Sequence, residues 1–192
     1  KPLRDFHPYG VLTVADGLQK SSNILAAKVA LTLGDKRFHE YIAAFGIGTR
    51  AGIELPGEEG GILHPTRNWS KIEATRIAMG HSVAVTALQM LGAFCAIAND
   101  GVLMKPYVIA AVTAKDGTEL YRAEPTAVGR PITPDTALTM RRLLARVTEE
   151  GGTGKRARVE NYEVAGKTGT SEKLVDGQYS SQANIASFVG FL

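Results

Sequence analysis

From Tyr162 the chain runs "YEVAGKTGTSEKLV", meets Asp176-Gly177, and comes back as "NIASFVGFL". Both runs read as extended chain, and Asp-Gly suits a tight hairpin turn because the central positions of such a turn favour positive φ. The run through Gly166-Lys167-Thr168 must therefore return beside itself as an antiparallel strand. No amphipathic helix stands behind it to carry a parallel crossover. "YVIAAVTAKDGTELYRAE" repeats the device as two extended runs joined at Asp116-Gly117.

Upstream the pattern is helical. Residues 21–33, "SSNILAAKVALTL", place Ile24, Ala27, Ala30 and Leu31 at helical spacing, with Gly34 as a stop. Asp35 reads as the N-cap of "DKRFHEYIAAF", which ends before Gly46. "GIGTRAGIELPGEEGGILHPTRNWS" is rich in Gly and Pro and reads as loop with brief extended pieces. Thr86 caps "ALQMLGAFCAIAND", expected to turn Leu88, Leu91, Cys95 and Ala98 to one face and to end at Gly101. Thr133-Pro134 opens a further helix with Leu138, Leu143, Leu144 and Val147 facing inward. Helices come first and antiparallel strands gather at the end, so the fold class is α+β, an antiparallel sheet flanked by helices, not the alternating βαβ of a nucleotide-binding fold.

Composition excludes several functions. Hydrophobic residues make up 44% and charged residues 21% of 192, the balance of a soluble globular protein. No run of eighteen apolar residues is present to span a membrane. Net charge is +3, and the densest basic cluster, Lys155, Arg156 and Arg158, lacks interleaved aromatics, so it reads as a solvated loop and no nucleic-acid partner is expected. The single Cys95, in "GAFCAIA", reads as a buried small hydrophobe. His7, His39, His64 and His81 are scattered without ligand spacing, which gives no metal site, and His81 in "MGHSVAVT" reads as a loop residue.

Gly166-Lys167-Thr168 invites a phosphate-binding reading, which fails on spacing. A P-loop needs a first glycine at position 161, and that residue is Asn161. On a strand, Lys167 and Gly169 share one face while Thr168 and Thr170 share the other. Gly169 leaves a gap where a ligand or backbone can come close, Lys167 sets a cation beside it, and the edge offers N–H and C=O groups to an extended peptide ending in a carboxylate. An ordinary edge strand whose lysine discourages aggregation fits this motif equally well. Ser21-Ser22-Asn23, at a helix start, reads first as a cap. Together and in this order, however, the two stretches match the Ser-x-Asn and Lys-Thr-Gly elements of penicillin-reactive enzymes.

Around these motifs the chain resembles the transpeptidase domain of penicillin-binding proteins, most closely class B enzymes of the division-specific type. "LQKSSNILAAKVA", "FGIGTRAGIELPGEEGG", "NWSKIEATRIAMGHSVAVTALQM", "AIANDGV", "GGTGKRARVENYEVAGKTGTSEK" and "NIASFVGF" fall in that family's order. The resemblance implies a peptidoglycan D,D-transpeptidase on a penicillin-binding transpeptidase/β-lactamase-like fold, needing no metal or cofactor. Its implied partners are stem peptides ending in D-Ala-D-Ala, β-lactam antibiotics, a membrane glycosyltransferase and other divisome proteins. Its implied place is the periplasmic face of the inner membrane, anchored by a segment outside this chain. By resemblance Ser21 passes protons toward the leaving amine, Asn23 binds a donor amide carbonyl, and Lys167 attracts the terminal carboxylate. Thr168 and Thr170 help Lys167 with their hydroxyls, beside the gap at Gly169, and the Thr170 N–H supplies half of an oxyanion hole.

One part of the family pattern is absent. No serine in the chain is followed three residues on by lysine, so the Ser-x-x-Lys nucleophile and its base are not found here. The chain begins at Lys1 without an initiator Met, and "NIASFVGFL" resembles a strand that the family follows with another strand and a helix. Residues 1–192 are thus expected to be an incomplete transpeptidase domain, inactive alone. A non-catalytic β-lactam sensor, a D,D-carboxypeptidase and a β-lactamase are the alternatives on the same fold, with Glu58, Glu59 and Glu73 open as candidates for a deacylating base.

Overall fold

The computed structural model describes residues 2–175 and 178–192. Six α-helices are described: α1 (Val14–Gln19), α2 (Asn23–Leu33), α3 (Asp35–Ala44), α4 (Glu73–Ala78), α5 (Ala87–Ala98) and α6 (Pro134–Ala145). The strands are β1 (Leu103–Met104), β2 (Ala111–Thr113), β3 (Glu119–Arg122), β4 (Ala127–Gly129), β5 (Ala165–Val175) and β6 (Gln178–Phe191). They form three separate antiparallel pairs, β1–β4, β2–β3 and β5–β6, in an α+β architecture. The β2–β3 hairpin closes at Asp116-Gly117 as the sequence requires, with Gly117 at φ 87°. The Asp176-Gly177 turn lies outside the described residues, although the strands on either side pair antiparallel from Ala165↔Phe191 onward.

Caps define the helix ends. Thr86 and Gln89 make a reciprocal capping box at α5, and Thr13 and Asp16 make another at α1. Thr133 caps α6 ahead of Pro134. Ser22 caps α2, which stops at Gly34 with φ 75°. Gly34 is also the cap of α3, so Asp35 is its first helical residue and not the cap expected from sequence. Helices α1 and α4 were not foreseen: each is six residues long, too short to display a period.

Ile97, Leu144, Ala145 and Ala165 form the buried core, with Leu18, Phe45, Phe94, Ile132, Met140 and Phe191 packed around them. Burying a Leu or Ile side chain contributes about 1.5–3 kcal/mol, and these contacts join α5 and α6 to the root of the β5–β6 hairpin. The buried Thr148 hydroxyl donates to the Val164 carbonyl at 2.7 Å, tying the turn after α6 to the start of β5.

The helix phases correct the sequence reading. On α5 the buried residues are Gln89, Ala96 and Ile97, whereas Leu91, Cys95 and Ala98 are exposed. Cys95 is therefore not a buried hydrophobe. The cause is Gln89, whose Nε2 donates to the carbonyls of Thr49 (2.7 Å) and Gly60 (2.8 Å) while its Oε1 accepts from Thr86 N (2.9 Å). On a helix apolar all round, the one amide that can satisfy these part-buried carbonyls sets the rotation. On α6, Leu144 and the following Val147 are buried as expected, but Leu138 is exposed and Ala137 takes the inward place. Beside them Arg141 Nη1 donates to the carbonyls of Ile97 (3.1 Å) and Ala98 (3.3 Å), covering the C-terminal end of α5.

Candidate functional site

The site forms where the loop between α1 and α2 meets the start of β5. Three backbone bonds fold that loop onto α1: Lys20 N to Asp16 O (2.9 Å), Ser21 N to Leu18 O (3.1 Å) and Ser22 N to Gly17 O (2.8 Å). They leave Ser21 at φ 56°, a left-handed conformation that costs a non-glycine residue about 1–2 kcal/mol. Ser22 turns the other way, is buried, and accepts from Leu25 N at 3.1 Å. It also donates to Asp5 Oδ2 at 2.8 Å, and Asp5 Oδ1 accepts from Ile24 N at 3.0 Å. Capping thus falls to Ser22 and Asp5, and Ser21 is free to point elsewhere.

Its hydroxyl accepts from Lys167 Nζ at 2.7 Å, across 146 residues of sequence. The same ammonium donates to the Thr168 carbonyl at 3.1 Å, so the side chain curls along the edge of its own strand. Lys167 is half-buried, and burial pushes its pKa below that of an ordinary lysine. No carboxylate is hydrogen-bonded to it among the described residues, which suits the ammonium to an incoming anion.

The strand register fixes the remaining predicted residues. Gly169 lies opposite Ser187, and a methyl added there would stand 2.6 Å from the Ser187 hydroxyl. Thr170 is exposed opposite Ala186. Thr168 is half-buried, its hydroxyl 2.7 Å from that of Thr153. Asn23 is the first residue of α2 and half-buried; its side-chain amide makes no hydrogen bond among the described residues. Ser21 and Lys167 are thus brought into direct contact, Thr168, Gly169 and Thr170 continue along the same strand, and Asn23 stands two residues from Ser21 with no hydrogen bond to Lys167 among the described residues.

Thr153 and Ser187 escaped the sequence reading. Both sit in segments that had drawn notice, "GGTGK" and "NIASFVGF", but nothing local marks a hydroxyl that only pairing across the chain brings near. The candidate deacylating groups fare differently. Glu58 accepts from the backbone N–H of Ala51 (2.6 Å), Gly52 (2.9 Å) and Ile53 (3.3 Å), which makes it a clasp for its own loop. Glu73 accepts from the Ser70 hydroxyl at 2.8 Å, and hydrogen bonds from Ser82 and Ser70 hold its carboxyl below the usual range. Glu59 is exposed, and His81 lies in a loop as expected.

A serine hydroxyl and a half-buried lysine thus meet at a strand edge, on helices packed against an antiparallel hairpin. The chain belongs to the penicillin binding protein transpeptidase domain family, whose model matches residues 3–192. It is 34% identical over 190 residues to the "probable peptidoglycan D,D-transpeptidase PenA" of Neisseria meningitidis, covering 99% of this chain and 31% of that protein. It is 37% identical over 187 residues to stage V sporulation protein D of Bacillus subtilis, covering 95% of this chain and 28% of that protein. Penicillin binding protein 3 of Mycobacterium tuberculosis, solved in complex with aztreonam, superposes with a TM-score of 0.90 at 34% identity, over 98% of this chain and 44% of that one. The chain therefore spans roughly a third of the length of these curated relatives.

Proposed function

We propose that this chain forms part of a peptidoglycan D,D-transpeptidase of the class B, division-associated type, which joins stem peptides through a serine acyl-enzyme and is acylated by β-lactams at the same serine. The observation that carries the reading is the 2.7 Å contact between Lys167 Nζ and Ser21 Oγ at a strand edge. In the reaction, a serine oxygen attacks the carbonyl carbon of the penultimate D-alanine and the C–N bond to the last D-alanine breaks. The leaving nitrogen takes a proton, and the amine of a neighbouring stem then displaces the serine from the ester.

Lys167 attracts the terminal carboxylate, assisted by the hydroxyls of Thr168 and Thr170, and Ser21 relays the proton toward the leaving amine. Asn23 binds an amide carbonyl of the donor. The Thr170 N–H faces the developing oxyanion, where one such donor contributes about 3 kcal/mol to the transition state. Gly169, lacking a side chain, keeps the groove open beside the cation. Residues 1–192 contain no Ser-x-x-Lys pair, so by themselves they bind and polarise but do not attack. The full protein acts at the periplasmic face of the membrane, with stem peptides, β-lactams, a membrane glycosyltransferase and divisome proteins as partners. The engagement of Glu58 and Glu73 elsewhere supports a transpeptidase over a β-lactamase.

Fluorescent penicillin tests the reading. The full-length protein is expected to become covalently labelled, and Lys167→Ala is expected to slow labelling by about a hundredfold, the loss of one charge-assisted contact in a desolvated groove. Labelling unchanged by that substitution would refute the assigned role.

A further inference from the structure

Ser21 holds a strained backbone conformation, and such a conformation persists only where its surroundings over-determine it. The bonds that set it run back into α1, so Ser21 is placed by whatever places α1. That helix is six residues long and cannot stand by itself. Leu18 packs against the core, and the polar anchors of the helix come from the end of α6. Arg146 Nη2 donates to Asp16 Oδ1 at 2.8 Å and to Gln19 Oε1 at 3.2 Å. Gln19, buried at 8% exposure, donates from Nε2 to the Glu150 carbonyl at 3.2 Å, and its own carbonyl accepts from Thr153 N at 3.4 Å. Asp16 is held in turn by Thr13, whose hydroxyl donates to Oδ2 at 2.6 Å.

We propose that Arg146 is a positioning residue for Ser21, gripping α1 through Asp16 and Gln19 so that the serine hydroxyl meets Lys167. The grip has a second consequence on the same loop: Thr153, which bonds Gln19, also meets the Thr168 hydroxyl at 2.7 Å. One segment after α6 therefore carries both halves of the site, the serine loop on one side and the lysine strand on the other. A guanidinium suits the task because one planar nitrogen can serve a carboxylate and an amide oxygen at once in a fixed geometry. The inference rests on the transpeptidase reading above.

The test measures acylation of the full-length protein by fluorescent penicillin, separating the noncovalent constant from the acylation rate constant. Arg146→Ala is expected to lower the acylation rate constant on the order of tenfold to a hundredfold, the cost of a misplaced proton-relay group, with the noncovalent constant little changed. In a Ser21→Ala background, followed over times long enough for the slower reaction, adding Arg146→Ala is expected to change the rate less than about twofold, because the group it positions is gone. Arg146→Lys, which keeps a donor, is expected to recover part of the loss. Should Arg146→Ala not fold, Gln19→Met, which removes both amide links at similar volume, replaces it in the same comparison. Equal losses in both backgrounds, or a loss expressed wholly in the noncovalent constant, would overturn the positioning role alone. A wild-type protein that penicillin does not acylate would remove the functional reading and this inference with it.

Discussion

Two glycines three residues apart on β5 should respond unequally to the same substitution. Gly166 is buried opposite Gly190, and a methyl there would stand 2.7 Å from the Val189 carbonyl oxygen and 2.9 Å from Phe188 Cε2. The carbonyl belongs to the paired strand, so relief requires the ladder itself to shift. The Phe188 ring is exposed and can swing aside, so the carbonyl is the contact that decides the cost. Overpacking of this kind costs about 1–3 kcal/mol. Reduced freedom of the unfolded chain offsets about 0.4–1 kcal/mol, leaving a net loss of about 1–2 kcal/mol for Gly166→Ala. For a chain of this size each kcal/mol lowers the midpoint about 2–4 °C, so a fall of about 2–8 °C is expected. At Gly169 the clash is with the Ser187 hydroxyl, the end of an exposed rotatable side chain, so Gly169→Ala should stay within about 0.5 kcal/mol of the parent. Thermal melts followed by circular dichroism on both variants decide the matter. Gly169→Ala melting below Gly166→Ala would refute the reasoning, since it would mean that the flexible neighbour resists more than the backbone does.

Gln89→Leu removes the amide that serves Thr49 O, Gly60 O and Thr86 N, and losing three part-buried hydrogen bonds should cost about 1–3 kcal/mol in a denaturant titration. A variant as stable as the parent would show that Gln89 does not set the rotation of α5. Burial lowers the Lys167 pKa, so in the window between its folded and unfolded values the unfolded chain binds more protons and this group's contribution to stability rises with pH. Binding runs the other way: affinity of the full-length protein for a carboxylate-bearing penicillin should decline on the alkaline side before an ordinary lysine would titrate, and that limb should vanish in Lys167→Ala. An affinity that stays level into the range of a free lysine would contradict it.

The antiparallel pairing of both strand pairs, the caps at Thr86 and Thr133, the stop at Gly34 and the order of Ser-x-Asn before Lys-Thr-Gly are all legible in the sequence. Each depends on a local preference: Asp-Gly for positive φ, a hydroxyl for unpaired helix N–H groups, or residues in a fixed short order. The phase of α5 was not legible, because its apolar residues cover every face and only the distant carbonyls of Thr49 and Gly60 select the side that Gln89 takes. Division of labour within Ser21-Ser22-Asn23 was equally hidden, since Asp5 supplies the second cap and frees Ser21. The sequence by itself determined which elements form and which residue types carry the chemistry, because those follow from neighbours a few positions away. Tertiary structure alone decided that Ser21 meets Lys167, that Thr153 backs Thr168 and that Arg146 grips α1. Such contacts span from 15 to 146 residues, and only packing around Ile97, Leu144 and Ala165 brings their ends together.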